Sequence, residues 1–240
     1  SSIKDSLRAI GIEETFIEMV MNSLRGTTTT MRTNRPGHIT RTVELHKSIK
    51  QGCPLAPLLF VIVMDELHKA LRSIRQGYVL NSNDMITSRG YCDDTYIVAE
   101  TMDGLRKMNK IVHAVFAKHG LRVNEIKTKI TGRHADGTPL TETISWPGTG
   151  RHFELIPPEK PVRYLGALIT LDLDWTPQVN HMQGQVKQVI SQLKSKRLTL
   201  YQGIAITRFV TGPKMDIGMR HATIPSTKLQ DWDRWTASAL

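Results

Sequence analysis

Cysteine is scarce in this 240-residue chain, which contains only Cys53 and Cys92. These two residues are far apart in sequence, and none of the nine histidines has cysteine partners at the spacing of a zinc site. The sequence therefore offers neither a disulfide framework nor a structural zinc pattern. We expect a reducing, intracellular location.

Long apolar runs are also absent. No run approaches the roughly 20 apolar residues that a membrane-spanning helix requires, so no association with a membrane is expected. Apolar residues still make up 40% of the chain, an ordinary share for a globular protein with a hydrophobic core.

Acidic residues are missing from one long stretch, between Asp174 and Asp216, in a chain whose formal net charge is +10. The basic residues of this stretch are Lys187, Lys194, Lys196, Arg197, Arg208 and Lys214. Such a face is typical of nucleic-acid binding, but it is equally typical of a solvated helix face that keeps a protein soluble. Charge alone leaves both interpretations open.

Apolar spacing and turn residues predict the secondary structure. Helices are predicted over residues 4–10, 13–25, 55–73 and 102–119, and strands over 27–33 and 39–45. Residues 132–158 look like a loop with short strands near 143–145 and 153–155, and one strand is predicted over 162–170. From residue 176 the pattern is helical, with breaks near Gly203, Gly212-Pro213 and Pro225. A domain boundary near residues 171–176 follows from this change of pattern.

Four residues in the middle of the chain, Tyr91-Cys92-Asp93-Asp94, separate two extended runs. The run that follows them is rich in β-branched and aromatic residues, so the two carboxylates are predicted at the tip of a hairpin. Adjacent like charges repel each other, and a bound divalent cation such as Mg²⁺ would remove the conflict. A polar turn is the alternative, because aspartate favours turns.

A second run, from Lys50 to Phe60, begins Lys-Gln-Gly-Cys-Pro and leads into a predicted helix. Gly52 allows a close backbone approach to a ligand, Gln51 offers both a donor and an acceptor, and the helix N-terminus favours phosphate. A helix entry capped by proline is the structural alternative.

Together these runs resemble the reverse transcriptases, especially those of non-LTR retrotransposons and their group II intron relatives. The family's Gln-Gly-x-Pro-Leu-Ser-Pro-Leu-Leu-Phe segment corresponds to residues 51–60, with Ala56 where serine is usual, and its Tyr-x-Asp-Asp hairpin corresponds to 91–94. Residues 120–129 look like its Gly-Leu-x-x-Asn-x-x-Lys-Thr-Lys segment, and residues 163–166 look like the strand that grips the primer end. Asp172-Leu173-Asp174-Trp175 fits the non-LTR pattern.

The resemblance implies an α+β fold. Residues 1–174 would form the polymerase palm, an antiparallel sheet backed by helices, and residues 175–240 would form a basic, all-helical thumb segment. The family's palm has a further aspartate on an upstream strand resembling Asp-x-x-Lys-Ala-Phe-Asp, and upstream fingers. Neither is found in this chain, so we expect these residues alone not to polymerise.

The resemblance also implies an RNA-directed DNA polymerase that acts on an RNA template, a DNA primer and dNTPs, uses two Mg²⁺ ions and works in the nucleus. Asp93 and Asp94 would hold the metal. Lys127 would neutralise or protonate pyrophosphate, although a plain exposed lysine is the alternative. The remaining predicted contacts to substrate and nucleic acid are Gln51, Gly52, Tyr91, Tyr164, Gly166, Lys187, Lys194, Lys196 and Arg197. Two other functions stay open: a catalytically inactive nucleic-acid-binding remnant, and an RNA-binding protein like an intron maturase.

Overall fold

The structure is a computed structural model that describes residues 2–30, 42–44, 52–81, 84–148 and 150–239. The chain divides into two compact units, Ser1–Asn124 and Glu125–Leu240. The proposed boundary between palm and thumb near residues 171–176 stays a prediction.

The helices of the first unit are α1 (Ser2–Ala9), α2 (Glu14–Leu24), α3 (Ala56–Ser73) and α4 (Met102–His119). They confirm the four predicted helices to within two residues at each end. The Thr101 hydroxyl caps α4 by accepting a hydrogen bond from the Gly104 N–H at 3.0 Å, and Gly120 ends α4 at φ +68°.

The first unit has two clusters of buried apolar side chains. The cluster between α3 and α4 consists of Met64, Leu67, Leu71, Met108 and Val112. The other joins α1 and α2 to the start of α3 and consists of Leu7, Ile17, Val20 and Leu59. Leu58 on α3 is 56% exposed, because the buried stripe of this helix runs through its neighbour Leu59.

The strands of the first unit form antiparallel pairs of two strands each. β1 (Thr28–Thr29) pairs with β2 (Val43–Glu44), which agrees with the strands predicted over 27–33 and 39–45, although residues 31–41 lie outside the described residues. β3 (Tyr78–Val79) pairs with β4 (Met85–Ile86), and β5 (Ser88–Tyr91) pairs with β6 (Asp94–Ile97).

The second unit begins with a parallel pair, β7 (Lys129–Ile130) and β8 (Glu154–Leu155). The loop-like segment between them has a small core in which the rings of Trp146 and Phe153 stack at 3.7 Å. The strand predicted near residue 154 is confirmed. The one predicted at 143–145 is only a single bridge, between Ser145 and His152.

The single strand predicted over residues 162–170 is wrong. The segment is a hairpin of β9 (Val162–Tyr164) and β10 (Ala167–Ile169), closed by a two-residue turn at Leu165 and Gly166 with φ values of +47° and +88°. Glycine readily adopts the positive φ that this turn requires at residue 166. Leucine seldom does, so Leu165 provides no sequence signal for a turn.

The chain then continues as α5 (Thr176–Ser195), α6 (Leu200–Ile206), a π-helical turn (Thr207–Thr211), α7 (Gly212–His221) and α8 (Ser226–Ala237). The break predicted at Pro225 is confirmed. Those predicted at Gly203 and Gly212-Pro213 are wrong: Gly203 lies inside α6, and the π-turn carries the helix past Pro213. The buried cluster of these helices consists of Val179, Met182, Val186, Met215 and Trp232.

The α+β class is confirmed. Within the described ranges the strands form five two-stranded sheets, of which four are antiparallel and one is parallel. The finer arrangement into palm and thumb stays a prediction. No helix in this part of the chain is long and apolar enough to span a membrane.

Candidate active site

The tip of the β5–β6 hairpin presents two adjacent carboxylates. Tyr91 and Asp94 are register partners that close a two-residue turn, and Cys92 and Asp93 form the turn. Cys92 has a φ of +52°, in the left-handed region that non-glycine residues seldom adopt. Both aspartates are exposed, so the predicted hairpin tip is confirmed.

The base of this hairpin is anchored against α3. The Nδ1 of His68 lies 2.8 Å from the hydroxyl of Ser88, a residue that is 4% exposed. A methyl group on Gly90 would lie 2.9 Å from the His68 Nε2, so any larger residue would have to displace the ring. Ile97 extends the anchor by packing on the α3–α4 core. The carboxylates therefore stand on a buried and closely packed base.

Burial lowers the pKa of His68, and the guanidinium groups of Arg72 and Arg89 lower it further. The ring is therefore neutral near pH 7 and adds no positive charge beneath the hairpin. Among the described residues, neither Asp93 nor Asp94 has an ion-pair or hydrogen-bonding side-chain partner.

The chemistry of this pair suits a hard divalent cation. Mg²⁺ is commonly held by one or two carboxylates together with water and substrate phosphates. Across the described ranges, no group of three or more His, Cys, Asp or Glu side chains is arranged to hold a metal ion. Asp93 and Asp94 thus fit as a partial set of ligands rather than a closed metal cage.

Three other predicted site residues belong to the first unit, and two of them, Gly52 and Tyr91, are exposed. Gln51 lies outside the described residues. Gly52 is exposed at φ +83°, three residues before the N-cap of α3, so a left-handed backbone explains the glycine there. Tyr91 is 66% exposed, so its ring is not buried by packing within the hairpin.

In the second unit, the predicted residues fall on three separate elements. Lys127 is exposed in the turn at residues 125–127. Tyr164 ends β9 and Gly166 lies in the turn that follows, so these two are brought together. Lys187 and Lys194 lie on α5, Lys196 is its C-cap, and Arg197 comes next.

Sequence reasoning missed Trp235 on α8. The Lys187 ammonium lies 5.2 Å from the centroid of its ring, a cation–π contact. A groove of about 450 Å³ beside this contact is lined by Lys187, Ile190, Ser191, Lys194, Trp235 and Ser238. The sequence predicted a helical pattern in this segment, but it could not show which lysine of α5 would meet the ring.

Sequence reasoning also missed Arg133, whose Nε and Nη2 donate to the two carboxylate oxygens of Asp172 at 3.0 and 2.5 Å. The same guanidinium donates to Glu159 at 2.9 Å and lowers the pKa of Asp172. Asp174 accepts a hydrogen bond from the Thr176 N–H at the start of α5. The aspartates of the segment 172–175 therefore serve the fold.

A sequence profile described as reverse transcriptase (RNA-dependent DNA polymerase) matches residues 5–169. The chain belongs to the reverse transcriptase family. The match covers the candidate hairpin and the β9–β10 hairpin. Reverse transcriptases are nucleotidyltransferases that generally use divalent metal ions and act with a nucleic-acid template, a primer and nucleotides.

The chain is also similar to Pol polyproteins of R2 retrotransposable elements. The chain is 27% identical over 243 residues to a retrovirus-related Pol polyprotein from type-1 retrotransposable element R2 of Popillia japonica, covering 98% of the chain and 32% of that relative. It is 32% identical over 132 residues to the Pol polyprotein from type-2 retrotransposable element R2DM of Drosophila melanogaster, covering 55% of the chain and 12% of that relative. The chain thus spans about a third or less of the length of these relatives. Their names do not favour the inactive remnant or the intron maturase as an alternative function.

Proposed function

We propose that the protein to which this chain belongs is the RNA-directed DNA polymerase of an R2-like retroelement, with Asp93 and Asp94 as ligands of catalytic Mg²⁺. One observation carries the proposal: two adjacent carboxylates without a described counter-charge project from a packed hairpin in a chain of this family. An exposed tip gives a primer end and a nucleotide access to the same carboxylates.

The proposed roles combine the family resemblance with the exposure of these residues at the hairpin tip. Asp93 and Asp94 hold and orient the cations, which when bound activate the primer 3′-hydroxyl and stabilise the charge of the departing pyrophosphate. The exposed ring of Tyr91 supports the primer end next to them. The family pattern adds a further carboxylate from an upstream strand, and the proposed two-metal site includes it.

The remaining residues position substrates, which is the main task of a protein in phosphoryl transfer. Gln51 and Gly52 line the template and nucleotide pocket, and Lys127 neutralises pyrophosphate. Tyr164 and Gly166 hold the primer backbone at the β9–β10 turn. Phosphates along the bound strands contact Lys187, Lys194, Lys196 and Arg197. A palm at residues 1–174, a thumb at 175–240 and a nuclear site of action belong to the same proposal.

Primer extension with Mg²⁺ tests the proposal in a protein that contains this chain together with the upstream strand. Asp93→Asn should lower the extension rate by roughly 100-fold or more, because a preorganised charge at the reacting centre is lost. Glu100→Gln is the matched control, since it removes an exposed carboxylate a few residues away. An Asp93→Asn enzyme that extends primers as fast as the Glu100→Gln enzyme would remove Asp93 from the site.

A second measurement needs no activity. Mn²⁺ bound by the aspartates should broaden the amide NMR signals of residues 90–95 in the isolated chain, and Asp93→Asn with Asp94→Asn should abolish that broadening. Equal broadening in the double variant would contradict the assigned metal ligands.

A further inference from the structure

One helix face in the second unit exposes large apolar side chains. Tyr201 is 83% exposed, Phe209 is 71% exposed and Ile204 between them is 48% exposed. We call the surface formed by Tyr201, Ile204, Arg208 and Phe209 the aromatic stripe. The chain has only five tyrosines and five phenylalanines, so placing two of these rings in water on one helix calls for an explanation.

The helix geometry brings the two rings to one side. Residues three and four apart share a face of α6. The π-turn at Thr207–Thr211 uses wider hydrogen-bonded loops, which shifts the phase of the side chains that follow. Tyr201 and Phe209 therefore lie on similar faces, about 12 Å apart along the axis.

The start of this helix is held firmly by a capping box. The Thr199 hydroxyl accepts from the Gln202 N–H, and the Gln202 side chain accepts from the Thr199 N–H. Rings on such a preorganised element lose little conformational freedom when a ligand binds.

The sequence on either side of the aromatic stripe carries charge of one sign. No acidic residue occurs between Asp174 and Asp216, and Lys196 and Arg197 directly precede α6. The guanidinium of Arg208 lies 5.7 Å from the centroid of the Phe209 ring. Among the described residues, Lys196, Arg197 and Arg208 have no acidic partner. This combination suits a polyanion that also offers flat, stackable groups.

We propose that the aromatic stripe is a docking site for single-stranded nucleic acid. Tyr201 and Phe209 each stack on a base, and Lys196, Arg197 and Arg208 contact the flanking phosphates. A single strand fits better than a duplex, because paired and stacked bases hide the faces that the rings need. The inference rests on the proposed function for its class of ligand, but it requires neither a metal ion nor Asp93 and Asp94.

The test is fluorescence anisotropy with the whole chain, a labelled 12-nucleotide single-stranded RNA and the matching RNA duplex. Tyr201→Ser with Phe209→Ser should weaken single-strand binding by about tenfold or more, since one lost stack corresponds to roughly 5- to 150-fold. Duplex binding should change by less than threefold. Tyr201→Phe keeps the ring and should bind like wild type.

The salt dependence of binding distinguishes the contribution of the rings from that of the charges. Arg197→Gln should make the slope of log K against log salt shallower by about 0.7, the contribution of one phosphate contact on a single strand. The double ring variant should leave the slope unchanged, because it removes no charge. Met219→Ser removes an exposed side chain on α7 and should alter neither affinity nor slope.

The outcomes are distinct. Undetectable single-strand binding by wild type, equal binding by wild type and the double ring variant, or equal losses for single strand and duplex would each overturn the proposal. So would a dimer in sedimentation that the ring variants convert to monomer, because the stripe would then be a self-interface. The double ring variant should melt at the same temperature as wild type. If its melting temperature is lowered while Tyr201→Phe binds like wild type, the single variant Phe209→Ser decides, and undiminished single-strand binding by that variant would overturn the proposal. Asp93→Asn with Asp94→Asn should bind RNA normally, so a failed polymerase proposal would not be confused with a failed stripe.

Discussion

Gly90→Ala tests whether the α3 anchor sets the position of the carboxylate-bearing hairpin. Gly90 lies outside the positive-φ region, so its backbone would accept alanine. The obstacle is spatial: the new Cβ would lie 2.9 Å from the His68 Nε2 and 3.0 Å from the Thr95 Oγ1, against 3.4–4 Å for ordinary contact. The His68 ring cannot retreat freely, because its Nδ1 is bonded to Ser88 at 2.8 Å.

The expected magnitude combines two opposing effects. Overpacking of this kind costs about 1–3 kcal/mol, and alanine in a strand regains about 0.5–1 kcal/mol relative to glycine. We therefore expect Gly90→Ala to lower the free energy of unfolding by about 0.5–2 kcal/mol. In a His68→Ala background the ring is gone, so Gly90→Ala should be close to neutral there. The coupling energy between the two sites should therefore be about 0.5–2 kcal/mol.

Urea unfolding of the four proteins of this double-mutant cycle gives the coupling. Tryptophan fluorescence would miss it, because all four tryptophans (146, 175, 232 and 235) lie in the second unit. Far-UV circular dichroism and amide hydrogen exchange at residues 88–97 report on the hairpin instead. Gly184→Ala, with open space around its Cβ in α5, should stabilise the chain by about 0.8–1.0 kcal/mol. Equal costs of Gly90→Ala with and without the His68 ring would refute the anchor.

Three further predictions concern local structure. Leu165→Asn should stabilise the second unit by about 0.5–1 kcal/mol, since asparagine tolerates a positive φ, whereas Gly166→Ala should destabilise it; tryptophan-monitored urea unfolding measures both. The Arg8 guanidinium and then Lys4 lower the pKa of Glu14 to about 2, so its contribution to stability is present above about pH 4.3, its unfolded value, and is lost as the pH falls toward 2. Glu14→Gln should remove that loss in acid titrations followed by circular dichroism. Thr101→Ala should cost about 1 kcal/mol by uncapping α4, and Thr101→Ser should not.

Helices with clear signals were predictable from the sequence. A threonine cap, a stripe of apolar residues and a terminal glycine define α4, and proline in the first turn marks the start of α3. The β9–β10 hairpin was not predictable, because its turn places Leu165 at φ +47°, a conformation for which leucine gives no signal. The continuous helix from α6 to α7 was not predictable either, because proline usually interrupts a helix. The helix accommodates Pro213 directly after the π-turn.

The candidate site was predictable as far as it consists of neighbours in sequence. Asp93 and Asp94 could be selected as candidates from the sequence alone, because two adjacent carboxylates interrupt a strand pattern. The anchor beneath them was not predictable, since His68 and Ser88 are twenty residues apart and meet only through the packing of α3 on β5. The same reasoning applies to Arg133 and Asp172, whose contact depends on the folding of the loop between them.

The two hairpins that carry family motifs share one feature of backbone conformation. In each, a pair of register partners closes a two-residue turn whose first residue is not glycine but has a positive φ: Cys92 at +52° and Leu165 at +47°. Such a conformation costs of order 1–3 kcal/mol and persists only where the surrounding structure enforces it. The first hairpin is anchored at its base by the hydrogen bond between His68 and Ser88. The strained turn lies at the same tip as the two exposed carboxylates, as expected if this tip is the metal site proposed above.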